Sequence, residues 1–163
     1  MEIEKDWNLI KRLFDEGIKS SRFYAIASTN PDGSPHICPI GSLILYGPGH
    51  GVYADEFPVQ LSRNIAGNPR VCVMAVNNGQ VFWLKSLIQG KFSKYPGIRL
   101  FGVAGEKRPG TDREIDNWMK RVKVFRRFKG YDLLWRHIKH VRDIRFDGVR
   151  VISAGKMSRG LST

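Results

Sequence analysis

Few side chains in this sequence could move protons or hold an ion, and most lie in or beside short β-like runs. Asp55 and Glu56 are adjacent carboxylates at the end of such a run, a place where acid–base work is feasible. Successive residues of a strand point to opposite sides, so each is expected to be solvated separately and not to share a proton with its neighbour. His137 and His140 stand three apart and would share a helical face; with no third ligand nearby, surface or packing roles are expected and no metal site is assigned. His36 alternates with Ile37 beside a turn, which leaves it either exposed or aimed into a groove. The loop Lys91-Phe92-Ser93-Lys94-Tyr95 mixes cations with rings, as a phosphate site would, or as lysine stems lying over a packed loop would. Trp7 and Trp118 fall on apolar helical faces, whereas Trp83 and Trp135 lie beside basic residues and would either flank a planar ligand or pack in the core. Cys38 and Cys72 sit singly inside apolar alternation and read as buried free thiols. None of these sets defines a nucleophile with its base, so no catalytic residue is assigned.

The elements that must carry these residues are mainly β with inserted helices. A first helix is predicted from Ile3, Trp7, Ile10, Leu13 and Phe14, ending at Gly17. A hairpin follows, with strands over residues 23–28 and 36–45 around the turn Asn30-Pro31-Asp32-Gly33. A short strand at 52–54 leads to a helix over 58–66 that stops at Gly67. Strands at 70–76 and 81–86 are expected to pair through Asn77-Asn78-Gly79, and a sixth runs over 99–106. Thr111 and Glu114 have capping-box spacing, which starts a helix reaching about residue 128, and a second helix is expected over 131–140. A final strand pair, 141–146 and 148–153, closes the pattern. Strands so closely spaced argue for an antiparallel barrel, the arrangement that leaves no long free edge.

With 163 residues, 42% of them hydrophobic, the chain suffices for one domain with a real core, spanning 1–163 and carrying a basic helical insertion at about 111–140. No apolar run approaches the length of a membrane span, and the acidic start does not read as a secretory signal, so a cytoplasmic protein is expected. The net charge of +12 is concentrated: residues 107–150 hold 14 Lys and Arg against 6 Asp and Glu. That field attracts polyanions as a class. Residues 122–140 have the basic, aromatic composition of a membrane-surface helix or a nucleic-acid stripe. Against a membrane-surface helix, Gly130 and Asp132 interrupt the apolar face and no lipidation motif is present; no nucleic-acid motif is visible either, and nucleic acid is not the expected partner.

Residues 23–76 resemble the FMN-binding split-barrel family, which includes pyridoxamine phosphate oxidase. The hairpin FYAIASTNPDGSPHICPIGSLIL, the strand GVYADEF and the junction SRNIAGNPRVCVMAV carry the resemblance. It implies an antiparallel split β-barrel that forms a homodimer, with FMN in grooves at the interface. By position it places Pro39, Ile40, Gly41 and Ser42 beside the isoalloxazine ring or phosphate, and Ala54, Asp55, Glu56 and Phe57 along the ribityl chain. Gln60, Ser62, Arg63 and Asn64 fall at the phosphate end. Where the family usually has Arg or Lys, this sequence has Val59, Gln60 and Leu61, so a phosphate would depend on helix amides, on Ser42, Ser62 or Arg63, or on Lys91 or Lys94. The function implied is a flavin-dependent oxidoreductase exchanging electrons with a small molecule; a deazaflavin or haem would be the other cofactors. The residues also admit a flavin or anion carrier without turnover, or a basic nucleic-acid or membrane-surface module.

Overall fold

A computed structural model describes residues 1–161. Its elements are α1 (Trp7–Ser21), β1 (Tyr24–Thr29), β2 (Pro35–Ile40), β3 (Ile44–Gly47), β4 (His50–Ala54), α2 (Val59–Gly67), β5 (Arg70–Val76), α3 (Gln80–Gln89), β6 (Gly97–Pro109), α4 (Asp112–Val122), α5 (Gly130–Trp135) and β7 (His140–Ile152). The strands form one antiparallel sheet in the order β2-β1-β5-β6-β7-β4-β3. The edge strands β2 and β3 do not pair with each other, so the barrel is split, as expected. No helix among the described residues is long and apolar enough to cross a membrane.

Alternation decides which face is core. In β1, Tyr24, Ile26 and Ser28 point inward, and in β5 Val71, Val73 and Ala75 do the same. They meet Ile10, Leu13 and Phe14 of α1, Tyr53 of β4, Leu61 of α2, Ile98 and Leu100 of β6 and Ile144 of β7 in one cluster. Gly17 does not end α1 but lies buried within it: a Cβ there would stand 2.9 Å from that of Ala75, so the glycine lets the helix touch β5. The helix ends instead at Arg22, in the left-handed region with φ 71°.

Three sequence-based assignments change. The predicted strand 36–45 is broken at Gly41-Ser42-Leu43 into β2 and β3, which lie at opposite edges of the sheet. The break is pinned by Ser42, whose hydroxyl accepts the Ala54 amide at 3.0 Å. Residues 81–86 are helical, not the second arm of a hairpin: the Asn77 side chain accepts the Gly79 amide, the Trp83 indole donates to the Asn77 carbonyl, and Phe82, Trp83 and Ser86 turn one helical face inward. The final strand pair is one continuous strand, β7, whose pairing with β6 shifts register at Asp147. Further along, the capping box at Thr111 is present, but the helix it starts stops at Val122, and the second helix is the short α5.

Candidate functional site

The candidate residues gather where β4 runs into α2. At Ala54 the strand is still paired with Val141 of β7, and the Asp55 amide donates to the His140 carbonyl at 3.0 Å. The chain then turns through Phe57 and Pro58 into α2, which packs over β1 and β2 and so spans the open side of the sheet.

Asp55 and Ser62 come together, but around a cation the sequence reading missed. Arg142, on the strand paired with β4, donates from Nε to Asp55 Oδ2 at 2.9 Å and from Nη2 to the Ser62 hydroxyl at 2.9 Å; that hydroxyl donates to Asp55 Oδ2 at 3.1 Å. Arg142 Nη1 also donates to the Gly105 carbonyl at 2.7 Å. Asp55 is 1% exposed and Arg142 6%. Beside them the Tyr53 hydroxyl and Asp55 Oδ1 are buried without a hydrogen-bond partner. Burial, reinforced by the negative charge of Asp55, pushes the Tyr53 phenol well above its usual range. The one signal for Arg142 was local: it interrupts the apolar alternation of β7 with a buried position next to Val141.

Glu56 points elsewhere, as strand alternation predicts. Its Oε1 accepts the Lys139 amide at 2.9 Å, the His140 amide at 2.8 Å and the His140 ring at 2.9 Å. Partial burial works against its charge, yet the Lys139 amide, the His140 ring and the His140 amide together hold the carboxyl below the ordinary glutamate range. Glu56 therefore clamps the end of the helical insertion to β4, and His140 is its partner while His137 stays exposed.

A second polar seam joins α2 to the first hairpin. Asn64, 2% exposed, donates to Ser28 Oγ at 3.0 Å and to Asn30 Oδ1 at 2.8 Å, and Gln60 donates to Asn64 Oδ1 at 2.9 Å. His36 closes the seam on Ser28 at 3.1 Å, so it faces inward and is half-buried. Asn30, read only as a turn residue, is the hub.

Ser42, Ser62 and Asn64 thus spend their polar atoms inside the protein. Pro39, Gly41, Phe57, Val59, Gln60 and Arg63 are exposed, Ile40 is buried and Ala54 half-buried. Leu61 belongs to the core. Lys94 is committed elsewhere, to Glu16 at 2.6 Å. Trp83 packs edge-on against Phe92 at 5.2 Å, and Trp135 against Trp118 at 6.3 Å, so both are packing residues. Both cysteines are free and half-buried, less enclosed than expected.

Two features can receive a phosphorylated ligand. The first turn of α2 has no acidic residue and its N-cap, Pro58, supplies no side-chain acceptor; the Val59 amide is taken by the Phe57 carbonyl at 2.9 Å, which leaves the amides of Gln60 and Leu61 to an anion. Arg63, on the same helix, is exposed and pairs with no carboxylate among the described residues. The outer face of the sheet carries apolar residues bordered by Arg70, Arg99 and Arg150. Ala27 lies opposite Ile37 on one side and Cys72 on the other, and Cys72 lies opposite Phe101. A groove of about 330 Å³ runs along this face between Thr29, Pro35, Arg70 and Phe101.

The family described as "Pyridoxamine 5'-phosphate oxidase" has a sequence model that matches residues 10–145. No curated protein matches the chain. Among solved structures it is similar to an FMN-binding protein from Syntrophomonas wolfei subsp. wolfei (13% identity, 91% of this chain and 89% of that one, TM-score 0.62). A Clostridium acetobutylicum protein related to general stress protein 26 of B. subtilis (pyridoxinephosphate oxidase family) is similar over 93% of this chain and 92% of its own, at 15% identity and TM-score 0.59. An F420 reductase matches over 78% and 88%, at 15% identity and TM-score 0.54. At such identities the likeness is one of fold, and the fold has just been traced from β1 to β7. Since the family match runs from the middle of α1 into β7 and covers every strand between them, this chain belongs to the pyridoxamine 5'-phosphate oxidase family.

Proposed function

We propose that this protein is a cytoplasmic, homodimeric flavoprotein that binds FMN and acts as an oxidoreductase on a small molecule. The observation that carries the reading is the family match over residues 10–145, with an FMN-binding protein among its structural relatives. A flavin ring supplies two-electron transfer between a donor such as a reduced nicotinamide and an acceptor, so the protein need only hold, orient and shield it. In this reading the open amides at the start of α2 and the Arg63 guanidinium meet the phosphate, in place of the cations that Val59, Gln60 and Leu61 do not provide. Ser42, Asp55, Ser62 and Asn64 act behind the ligand, fixing the turn from β4 into α2. Pro39, Gly41 and Phe57 offer exposed surface for the ring, and Ile40, Ala54, Glu56 and Gln60 back it.

In this reading the outer face supports the dimer. An apolar sheet face carrying Ala27, Ile37, Cys72, Met74 and Phe101 is costly in water and is covered when two copies pack barrel to barrel. A groove between the copies would then line the flavin.

Titrating the purified protein with FMN tests the reading directly. Flavin fluorescence should be quenched at about one equivalent per chain, with a dissociation constant of roughly micromolar or tighter. Arg63→Glu should weaken FMN by about tenfold or more while changing riboflavin, which lacks the phosphate, far less. Absence of binding at about 10 µM FMN would defeat the proposal. The relative named an F420 reductase makes a deazaflavin the competing cofactor for the same titration.

A further inference from the structure

Residues 111–139 leave and re-enter the sheet at one place. Pro109 pairs with His140, and the Gly110 amide donates to the Lys139 carbonyl at 2.8 Å. The insertion is therefore a helical hairpin, its arms joined where Trp135, which also packs on Tyr131 of its own helix at 5.4 Å, meets Trp118 at 6.3 Å. Beyond that aromatic clasp every residue from 123 to 130 is exposed. The tip is not polar, as an exposed loop should be. Val124 is 74% exposed and Phe128 66%, and Leu133, on the returning arm, 80%.

Around these apolar tips the charge is nearly all of one sign. Residues 120–139 hold eight Lys and Arg and a single carboxylate, Asp132, which Arg136 approaches at 3.5 Å. Lys120, Lys123, Arg126 and Arg136, with Asp116 and Asp132, line an open concavity of about 700 Å³. Gly130, which would interrupt one long amphipathic helix, here begins the returning arm.

We propose that the tip of this hairpin docks on an anionic phospholipid surface. Cations at its flanks meet the headgroups, the concavity accepts a headgroup phosphate, and Val124, Phe128 and Leu133 enter the boundary with the acyl chains. Nucleic acid would satisfy the cations alone. Phe128 can stack on a base, but Val124 and Leu133 have no π-face to offer and would stay in water. Only a surface that is both anionic and apolar accounts for both halves of the patch.

Co-sedimentation with vesicles tests this. Full-length protein should partition at least about tenfold more strongly onto phosphatidylcholine vesicles containing roughly a third phosphatidylglycerol than onto pure phosphatidylcholine. The triple variant Val124→Ser/Phe128→Ser/Leu133→Ser and the triple variant Lys123→Glu/Arg126→Glu/Arg127→Glu should each lower that partition about tenfold or more. The substituted side chains are solvent-facing, so both variants should keep the parent thermal midpoint and the parent FMN titration, which keeps this test separate from that of the flavin site. Equal partition onto both kinds of vesicle would refute the proposal. So would tighter binding to a single strand of about 20 nucleotides that the glutamate triple abolishes and the serine triple leaves intact, an outcome assigning the patch to nucleic acid.

Discussion

A carboxylate as enclosed as Asp55 keeps its charge only when a cation meets it, and here Arg142 does so from a strand 87 residues along the chain. Removing one member leaves the other charged and dry. Arg142→Met or Asp55→Asn should each lower the unfolding free energy by about 3–5 kcal/mol in urea titrations, and the double variant should cost less than the sum of the two. A loss below about 1 kcal/mol in both single variants would mean the pair is hydrated and does not hold β4 to β7. Sequence drew attention to Asp55 as a carboxylate at a strand end, yet gave it no partner. The two carboxylates do part, Glu56 turning to Lys139 and His140, but the expectation that both are solvated fails, because Asp55, just past the end of β4, is buried on Arg142.

Among the elements, α4 is the one most fully written in its own residues. Thr111 accepts the Glu114 amide while Glu114 reaches back to the Thr111 amide at 2.8 Å, and Arg108 of β6 grips Glu114 from beneath at 2.7 Å. The Arg108 guanidinium, overcoming the opposing effect of burial, drives the Glu114 carboxyl down to about 2. A depressed carboxylate stabilises the fold above its ordinary value and loses that contribution as pH falls through the folded one. Glu114→Ala should therefore cost about 1 kcal/mol at pH 7, kept small by the exposure of Arg108 and its other partner Asp143. The gap between variant and parent should persist to about pH 4.5 and close towards pH 2, as thermal melts across that range would register. In α3 local reading failed for a physical reason. In QVFWLKSLIQ the apolar residues come as a run of four and a pair, so neither period stands out, and Asn77-Asn78-Gly79 can open a helix as readily as a hairpin.

At the scale of the whole molecule, the proposed dimer rests on the outer face of β1, β2, β5 and β6. Sedimentation equilibrium should give a dimer, and Phe101→Glu, a charge set among Cys72, Gly148 and their neighbours, should shift it to monomer and lower FMN affinity by about tenfold or more. A Phe101→Glu chain that stays dimeric and binds flavin normally would move the interface to another face.

Strand alternation, turn residues and the capping box determined, from sequence alone, most elements and the antiparallel class of the fold. These features depend on neighbours within a few positions, which the order of residues records directly. The break at Gly41-Ser42-Leu43, the glycine contact of α1 with β5 and the burial of Asp55 against Arg142 were decided only by the tertiary structure. Each rests on groups that are distant in the chain and become partners only once the sheet has curled and α2 has crossed its open side.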